Sequence, residues 1–314
     1  MPEPKVVHSS KKRGTRLGFA FFRVSLALFG LRGTYGFLYI VCLYYGLFDR
    51  PALSVTMAYV SRRFRSYGLL RRTYCVYRVF VNQGKSLIDR YCLLSGDRKF
   101  DFEVYGYDRL KTLMAGSGKG FILLTAHVGN WQAAMTSLDK FRRVVYLLMR
   151  PEENRAVKEM LDIDSDSDSV KIISPDSFLG GVVEMVNVIN EGNIVSIMGD
   201  RSYGHNSIEV PFLGDMVHFP YAAFNIAAAT GCPVVVFLSA RIAARKYFVD
   251  VSNIIEPPSG GRRKKMEEVR DRAGQFARIL EDFVDKYPFQ WFMFSDIWAN
   301  GPEEKTGLKE QGDA

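Results

Sequence analysis

The sequence predicts an α/β protein in which a mostly parallel sheet is flanked by helices and preceded by an N-terminal helical segment associated with a membrane. From residue 97 onward, short apolar runs alternate with helical patterns, as is typical of a parallel sheet covered by helices. Residues 33–48 contain no charged side chain. Residues 1–100 hold 18 of the 42 Lys and Arg residues but only 4 of the 34 Asp and Glu residues.

Shifts in composition divide the 314-residue chain into four parts. We expect a basic tail at residues 1–16, a membrane-associated helical region at 17–96, an α/β domain at 97–300 and a polar tail at 301–314. A cleaved signal peptide is not predicted, because Arg23 interrupts the apolar run and no small-residue cleavage site follows it.

Residues 33–48 are short for a membrane span. As a helix they would cover about 24 Å, whereas a bilayer core is about 30 Å thick. Their tyrosines and phenylalanines suit a membrane interface. The pattern predicts a membrane-embedded or membrane-lying segment, with a hairpin broken near residues 30–33 as one form of it. A helix buried against the rest of the protein is the alternative.

The basic N-terminal third predicts a polyanionic partner. Residues 61–94 combine arginines with aromatic side chains, but no nucleic-acid-binding motif is present. Because basic residues alternate with long apolar stretches, the pattern favours an anionic membrane, and we expect no nucleic acid partner.

No cofactor and no metal ion are predicted. The four cysteines are dispersed and lack metal-binding spacing, so we interpret them as reduced core residues. Residues 162–168 alternate aspartates but lack the glycine and glutamate of a calcium loop. Residues 116–120 resemble a phosphate loop only in glycine content, because a strand follows where a helix is required.

Apolar runs and glycine stops locate the elements of the α/β domain. Strands are predicted at residues 100–104, 121–124, 144–149, 170–174, 194–198, 233–239 and 247–251. Helices are predicted at residues 131–138, 152–162, 178–191, 220–230 and 262–286. Residues 111–120 are predicted to be rich in turns, and residues 202–219 to form a loop.

Residues 121–132, F-I-L-L-T-A-H-V-G-N-W-Q, organise this domain. A buried strand leads into His127, and a helix follows. In open α/β sheets, ligands bind at the carboxyl ends of such strands. Asp200 and Arg201 end a second buried strand. Adjacent parallel strands would bring them to the same sheet edge as His127.

The spacing His127-x4-Gln132, in the wording A-H-V-G-N-W-Q, resembles the H-x4-D/E motif of the glycerolipid and lipid A acyltransferase superfamily, closest to its lipid A late-acyltransferase (lauroyl/myristoyl) branch. Further matches are M-G-D-R at 198–201, P-F-L-G at 211–214, F-P-Y at 219–221, G-C-P-V-V-V at 231–236 and Q-W-F-M-F-S-D-I-W at 290–298. Two positions depart from the family pattern. Gln132 replaces an acidic residue, and Met293 replaces a usual asparagine.

The resemblance implies a glycerolipid acyltransferase-like fold and transfer of a fatty acyl group to a hydroxyl of a lipid or glycolipid. The donor would be a thioester of acyl carrier protein or coenzyme A. The implied catalytic residues are His127 as general base and Gln132, and the implied substrate-binding residues are Asn130, Arg150, Asp200 and Arg201. Backbone N–H groups near the helix that follows His127 would stabilise the oxyanion.

Two roles stay open at this stage. The amide oxygen of Gln132 could accept a hydrogen bond from the imidazole and fix its tautomer. Alternatively, Asp200 supports His127, and Gln132 fills space or binds substrate. Arg150 and Arg201 could hold a phosphate or form internal ion pairs.

The resemblance also implies a location on the cytoplasmic face of the bacterial inner membrane. The replacement of the acidic motif residue by Gln132 favours an alternative function. In it, the chain is a catalytically weak relative that binds an acyl lipid or an acyl carrier protein. A thioesterase, in which the same base activates water, is a third hypothesis.

Overall fold

The computed structural model describes residues 16–97, 99–116, 118–135, 143–149, 170–176, 181–201, 207–259, 265–293 and 296–298. Three helices come first: α1 (Arg16–Phe48), α2 (Arg50–Arg63) and α3 (Leu69–Leu94). The helices that follow are α4 (Tyr107–Gly116), α5 (Trp131–Met135), α6 (Val182–Asn190), α7 (Ala222–Thr230) and α8 (Lys265–Lys286). The strands are β1 (Asp101–Tyr105), β2 (Phe121–Thr125), β3 (Val145–Leu148), β4 (Val170–Ile173), β5 (Ile194–Met198), β6 (Ser207–Phe212), β7 (Asp215–Pro220), β8 (Val234–Ala243), β9 (Lys246–Asp250) and β10 (Ile254–Ile255).

The central sheet has the strand order β1-β9-β8-β2-β5-β3-β4. The pairs from β8 through β2, β5 and β3 to β4 are parallel, and so is the pair β1–β9. Only β8–β9 and β10–β8 are antiparallel among the pairs of this sheet that the structure describes. The mostly parallel α/β fold predicted from the sequence is therefore confirmed. Every residue of β2 is buried, as expected of a strand covered on both faces.

Residues 202–219 were predicted to form a loop, and that prediction is wrong from residue 207 onward. The strands β6 and β7 form an antiparallel hairpin, in which alternate residues of β6 are buried. Leu213 and Gly214 make its turn with positive φ angles of 51° and 78°, which matches the handedness that a two-residue hairpin turn requires. Likewise, α4 occupies part of the stretch predicted to be rich in turns. The helix predicted at residues 152–162 lies outside the described residues.

Helix α1 folds back on itself at Gly30. Gly30 has φ 62° and ψ −172°, which are not helical. The ring centroids of Phe21 and Phe37 lie 5.7 Å apart, whereas sixteen residues of straight helix would separate them by about 24 Å. The Phe29 ring also packs on Phe37, at 5.3 Å. Helix α1 is therefore a hairpin of two legs, and its break lies where the sequence predicted one.

The three N-terminal helices pack on the α/β domain and share its core. Asp89 of α3 is completely buried and accepts hydrogen bonds from the hydroxyls of Tyr35 and Tyr247. Those tyrosines belong to α1 and β9, so one carboxylate connects three elements. The hydroxyl of Tyr59 on α2 donates to the carbonyl of Pro288 at 2.8 Å. The helical region is thus an integral layer of the fold.

Candidate active site

The site forms where two neighbouring strands end. Strands β2 and β5 pair in parallel, with Thr125 opposite Met198. One residue further, the N–H of Gly199 donates to the carbonyl of Thr125 at 2.8 Å. The chain segments that leave the two strands therefore stay side by side. They place His127 and Asp200 at the same sheet edge, as predicted from the sequence, and the two side chains are in contact there.

The carboxylate of Asp200 holds His127 through two hydrogen bonds. Its Oδ1 lies 2.8 Å from Nδ1 of the imidazole, and its Oδ2 accepts the backbone N–H of His127 at 2.8 Å. The indole Nε1 of Trp291 donates to the same Oδ2 at 2.9 Å. Both oxygens of Asp200, which is 3% exposed, are thus satisfied. The contacts fix the orientation of the imidazole relative to the backbone.

The environment keeps Asp200 ionised. Burial by itself would raise the pKa of its carboxyl group, but the charge and hydrogen bond of His127, with the charge of Arg201 and the bond from Trp291, lower the pKa well below its ordinary value. An ionised Asp200 accepts a hydrogen bond from Nδ1, so Nδ1 carries the proton. The lone pair of the neutral imidazole is then on Nε2.

The C-terminal segment closes one side of the site. The N–H of Gly129 donates to the carbonyl of Gln290 at 2.7 Å, and the N–H of Phe292 donates to the carbonyl of His127 at 2.8 Å. Val128 and Trp291 form the antiparallel bridge between these two bonds. Trp291 was missed as a site residue by the sequence analysis. Its membership in the quoted Q-W-F block is the only sequence signal that could have found it.

Gly129 is required by the close approach of another strand. It has a positive φ of 56°, and a Cβ atom there would lie 1.9 Å from the backbone oxygen of Ser239. That oxygen belongs to β8, so any side chain at position 129 would push the His127 loop away from the sheet.

A small cavity of about 90 Å³ opens at His127. Its lining residues come from α3, from the loop and helix after β2, and from the C-terminal segment: Gln83, Ser86, Leu87, Arg90, His127, Gly129, Asn130, Trp131, Gln132 and Phe292. Arg90 is the one permanently charged side chain among these lining residues, all of which the structure describes. The N-terminal helical region thus supplies a wall of the site.

A half-buried histidine held by a buried carboxylate at the carboxyl edge of a parallel sheet, beside a cavity, is suited to proton transfer. Residues 97–300, more than half of the chain, match the family model described as bacterial lipid A biosynthesis acyltransferase. The chain belongs to this family. It is therefore an acyltransferase whose reaction is acyl transfer to a lipid, in a family associated with bacterial membranes. No curated protein matches the chain.

Gln132 of this acyltransferase lines the cavity but, among the described residues, makes no hydrogen bond to His127. Nδ1 of His127 is held by Asp200. The arrangement corresponds to the alternative that the sequence left open, and the role of Gln132 stays a prediction.

Asn130 uses both of its side-chain groups within the protein. Its Nδ2 donates to the carbonyl of Ser86 at 2.9 Å, and its Oδ1 accepts the N–H of Ala133 at 3.3 Å. It therefore caps α5 and connects it to α3. Arg201 is half-buried beside Asp200 and is not among the described residues that line the cavity. Arg150 lies outside the described residues.

Proposed function

We propose that this acyltransferase moves a fatty acyl group from a thioester of acyl carrier protein or coenzyme A to a hydroxyl of a lipid or glycolipid, with His127 as general base. The contact of 2.8 Å between Nδ1 of His127 and Oδ1 of Asp200 is the observation that supports this proposal most directly. A hydroxyl is a poor nucleophile at neutral pH, and a positioned base typically contributes about 10²–10⁴-fold to the rate.

In this mechanism Nε2 of His127 removes the proton of the acceptor hydroxyl as its oxygen attacks the thioester carbonyl. The ester C–O bond forms, the C–S bond breaks, and the imidazolium returns the proton to the leaving thiolate. Asp200 stabilises the imidazolium throughout. Because the hydroxyl attacks the thioester directly, the step requires no covalent acyl-enzyme. The negative charge that the family motif places five residues after the histidine would be supplied here by Asp200.

The oxyanion needs N–H donors that are not already used. The backbone N–H groups of residues 127–130, Ala133 and Ala134 all have acceptors within the protein. Within the part of the chain that the structure describes, Trp131 and Gln132 have N–H groups without an acceptor, as expected of the first residues of a helix. Both residues line the cavity. We assign them as the oxyanion donors.

The remaining sequence predictions are carried forward as part of this proposal. Gln132 would contact substrate rather than His127. Arg201 and Arg150 would hold an anionic group of the donor or acceptor. The protein would act at the cytoplasmic face of the bacterial inner membrane, where its lipid acceptor resides.

The test is the His127→Ala variant, assayed with a labelled acyl thioester and a bacterial membrane lipid extract, with products read by mass spectrometry. We expect wild type to form a new acyl lipid and the variant to lose about 10²-fold or more of the rate while unfolding at a similar temperature. His218→Ala is the matched control, because His218 is also half-buried but lies on β7. Unchanged turnover in His127→Ala would exclude the general-base role.

The same assay separates the alternatives. Binding of the thioester without turnover by wild type would support the catalytically weak, acyl-binding relative that Gln132 favours. Release of free fatty acid would indicate a thioesterase. Wild-type transfer that survives in Gln132→Leu would remove the reason for the acyl-binding alternative.

A further inference from the structure

The α1 hairpin has one face on the protein and one face that the protein leaves uncovered. On its second leg the buried side chains Leu31, Tyr35, Leu38 and Cys42 follow helical spacing. The opposite face of this leg carries large exposed apolar side chains: Ile40, Leu43, Tyr44 and Leu47, which are 54–69% exposed. The first leg continues this surface with Phe21, Val24 and Leu28 at 46–70%. A contiguous apolar surface of this kind indicates an interaction site.

Contacts to α3 show how the hairpin lies. Tyr35 bonds Asp89, and a Cβ atom at Gly84 would overlap Leu38. Further along, the carbonyl of Tyr39 accepts the hydroxyl of Tyr77 at 3.0 Å. Residue numbers rise along α1 as they fall along α3, so the second leg runs antiparallel to α3 over several turns. The hairpin therefore lies flat against the protein and does not project from it.

Each leg of the hairpin is shorter than the apolar core of a typical bilayer is thick. The length and apolar composition of residues 20–48 alone would allow a span. The break at Gly30 divides that length, and the longer leg, residues 31–48, covers about 27 Å as a helix. A bilayer core is about 30 Å thick, and the fold-back returns the chain to the side from which it started.

Charge complementarity identifies the partner. Helix α1 contains Arg23 and Arg32, both exposed, and no acidic residue. A surface that combines aromatic and aliphatic side chains with isolated arginines fits the acyl and headgroup layers of an anionic leaflet.

We infer that the α1 hairpin docks flat into a single leaflet of an anionic membrane, so that both ends of α1 and the α/β domain stay on one side. This inference rests on the membrane association in the proposed function and specifies its mode. It also explains how a lipid reaches His127. Leu87 lines the cavity, is 46% exposed, and lies three residues after Gly84, which meets the hairpin. The cavity thus opens beside the membrane-facing layer.

The first experiment determines the topology with cysteine variants in sealed inner-membrane vesicles whose cytoplasmic face points outward. Ser10→Cys reports the chain before α1, and Met266→Cys reports the α/β domain. The four native cysteines are all buried, which keeps the background low, and wild type measures it. We expect an impermeant maleimide to label both variants before detergent is added. Labelling of Ser10→Cys only after detergent would mean that α1 spans the membrane and would overturn the inference.

The second experiment measures contact with lipid in proteoliposomes of phosphatidylethanolamine and phosphatidylglycerol. An environment-sensitive fluorophore is attached at Leu28→Cys, Ile40→Cys or Met266→Cys, of which the last is an exposed apolar position on α8. Brominated lipids should reduce the fluorescence at the two hairpin sites and leave that at Met266 unchanged. Absence of quenching at both hairpin sites would assign the apolar face to a protein partner and overturn the inference. Neither experiment requires turnover, so a failure of the proposed reaction would not affect the result.

Discussion

His127 and Asp200 lie 73 residues apart in the chain and act as one unit. The sequence predicts that the two residues lie at the same sheet edge, because each follows a buried strand and neighbouring parallel strands end at the same edge. It predicts no more about the pair than that. The partner of Nδ1 could not be chosen that way. Motif spacing pointed to Gln132, and only the strand order and the loop after β2 bring the carboxylate to the ring. Trp291, which donates a hydrogen bond to Asp200, belongs neither to the His127 motif nor to the M-G-D-R segment.

Asp200→Asn should lower the rate of acyl transfer by about 10³–10⁴-fold, because an amide stabilises the imidazolium poorly and can hold the imidazole in the wrong tautomer. Initial rates at matched expression measure the effect, and thermal unfolding separates it from a loss of fold. Asp215→Asn is the control, since Asp215 forms an ion pair with Arg62 away from the cavity. A variant within a few-fold of wild type would contradict the role of the carboxylate.

Gln132 gives a prediction of the opposite kind. Because Asp200 already holds Nδ1, Gln132→Leu should keep a kcat close to wild type and change mainly KM. Gln132→Glu should bring no gain, since the site already has its carboxylate. Steady-state kinetics that give kcat and KM for wild type and both variants test these two expectations. If the leucine variant lost kcat and the glutamate variant retained it, Gln132 would be the orienting residue after all.

At the scale of elements, the sequence located β2 and β5 well, because continuous apolar runs are unambiguous in a doubly covered sheet. The hairpin β6–β7 was missed because Pro211 interrupts its alternating pattern, and proline within a run argues against a strand. Burial resolves the ambiguity. The side chains of Phe212 and Phe219 are buried in the core, and the centroid of the Phe219 ring lies 6.0 Å from that of the Phe276 ring on α8. Tertiary packing of this kind is not visible in local sequence.

Gly30→Ala should weaken the fold-back of α1. Gly30 combines φ 62° with ψ −172°, a backbone conformation that is almost confined to glycine and costs other residues about 1–3 kcal/mol. Since a Cβ atom there meets nothing within 4 Å, the cost is purely conformational. Spin labels at Val24→Cys and Ile40→Cys, one on each leg, should show a longer distance component in the alanine variant. Gly36→Ala is the matched control, because Gly36 is also uncrowded but lacks a positive φ. Equal distance distributions in the two variants would contradict the requirement for glycine at position 30.

At the scale of the whole molecule, the active site includes residues from both sides of the boundary that composition suggested between the helical region and the α/β domain, at residues 96 and 97. Helix α3 supplies a cavity wall, and Asn130 of the α/β domain bonds the carbonyl of Ser86 on that helix. The buried contact of Asp89 with Tyr247 locks α3 to β9. Sequence reasoning separated the two regions because one looks membrane-bound and the other catalytic. Their contacts are long-range, and no local sequence pattern encodes them.

Deleting residues 1–48 should therefore leave an insoluble or inactive protein rather than a soluble enzyme. The deletion removes the four buried hydrophobic side chains described in α1, among them Leu38 and Cys42. Burial of such side chains contributes about 1.5–3 kcal/mol each, which together is comparable with a net stability of roughly 5–15 kcal/mol. It also removes Tyr35, one of the two donors to the buried carboxylate of Asp89. Without α1, one face of α3 would be exposed to solvent, and α3 would no longer be held in the position in which it lines the cavity.

The soluble fraction, size-exclusion profile and transfer rate of the deleted chain test this expectation. Tyr35→Phe is the control, since it keeps the apolar contacts of α1 and removes only one hydrogen bond, worth about 1–3 kcal/mol where a buried acceptor is left unsatisfied. We expect the phenylalanine variant to fold and to bind membranes with reduced thermal stability. A monodisperse deletion variant with wild-type turnover would show that α1 is only an anchor.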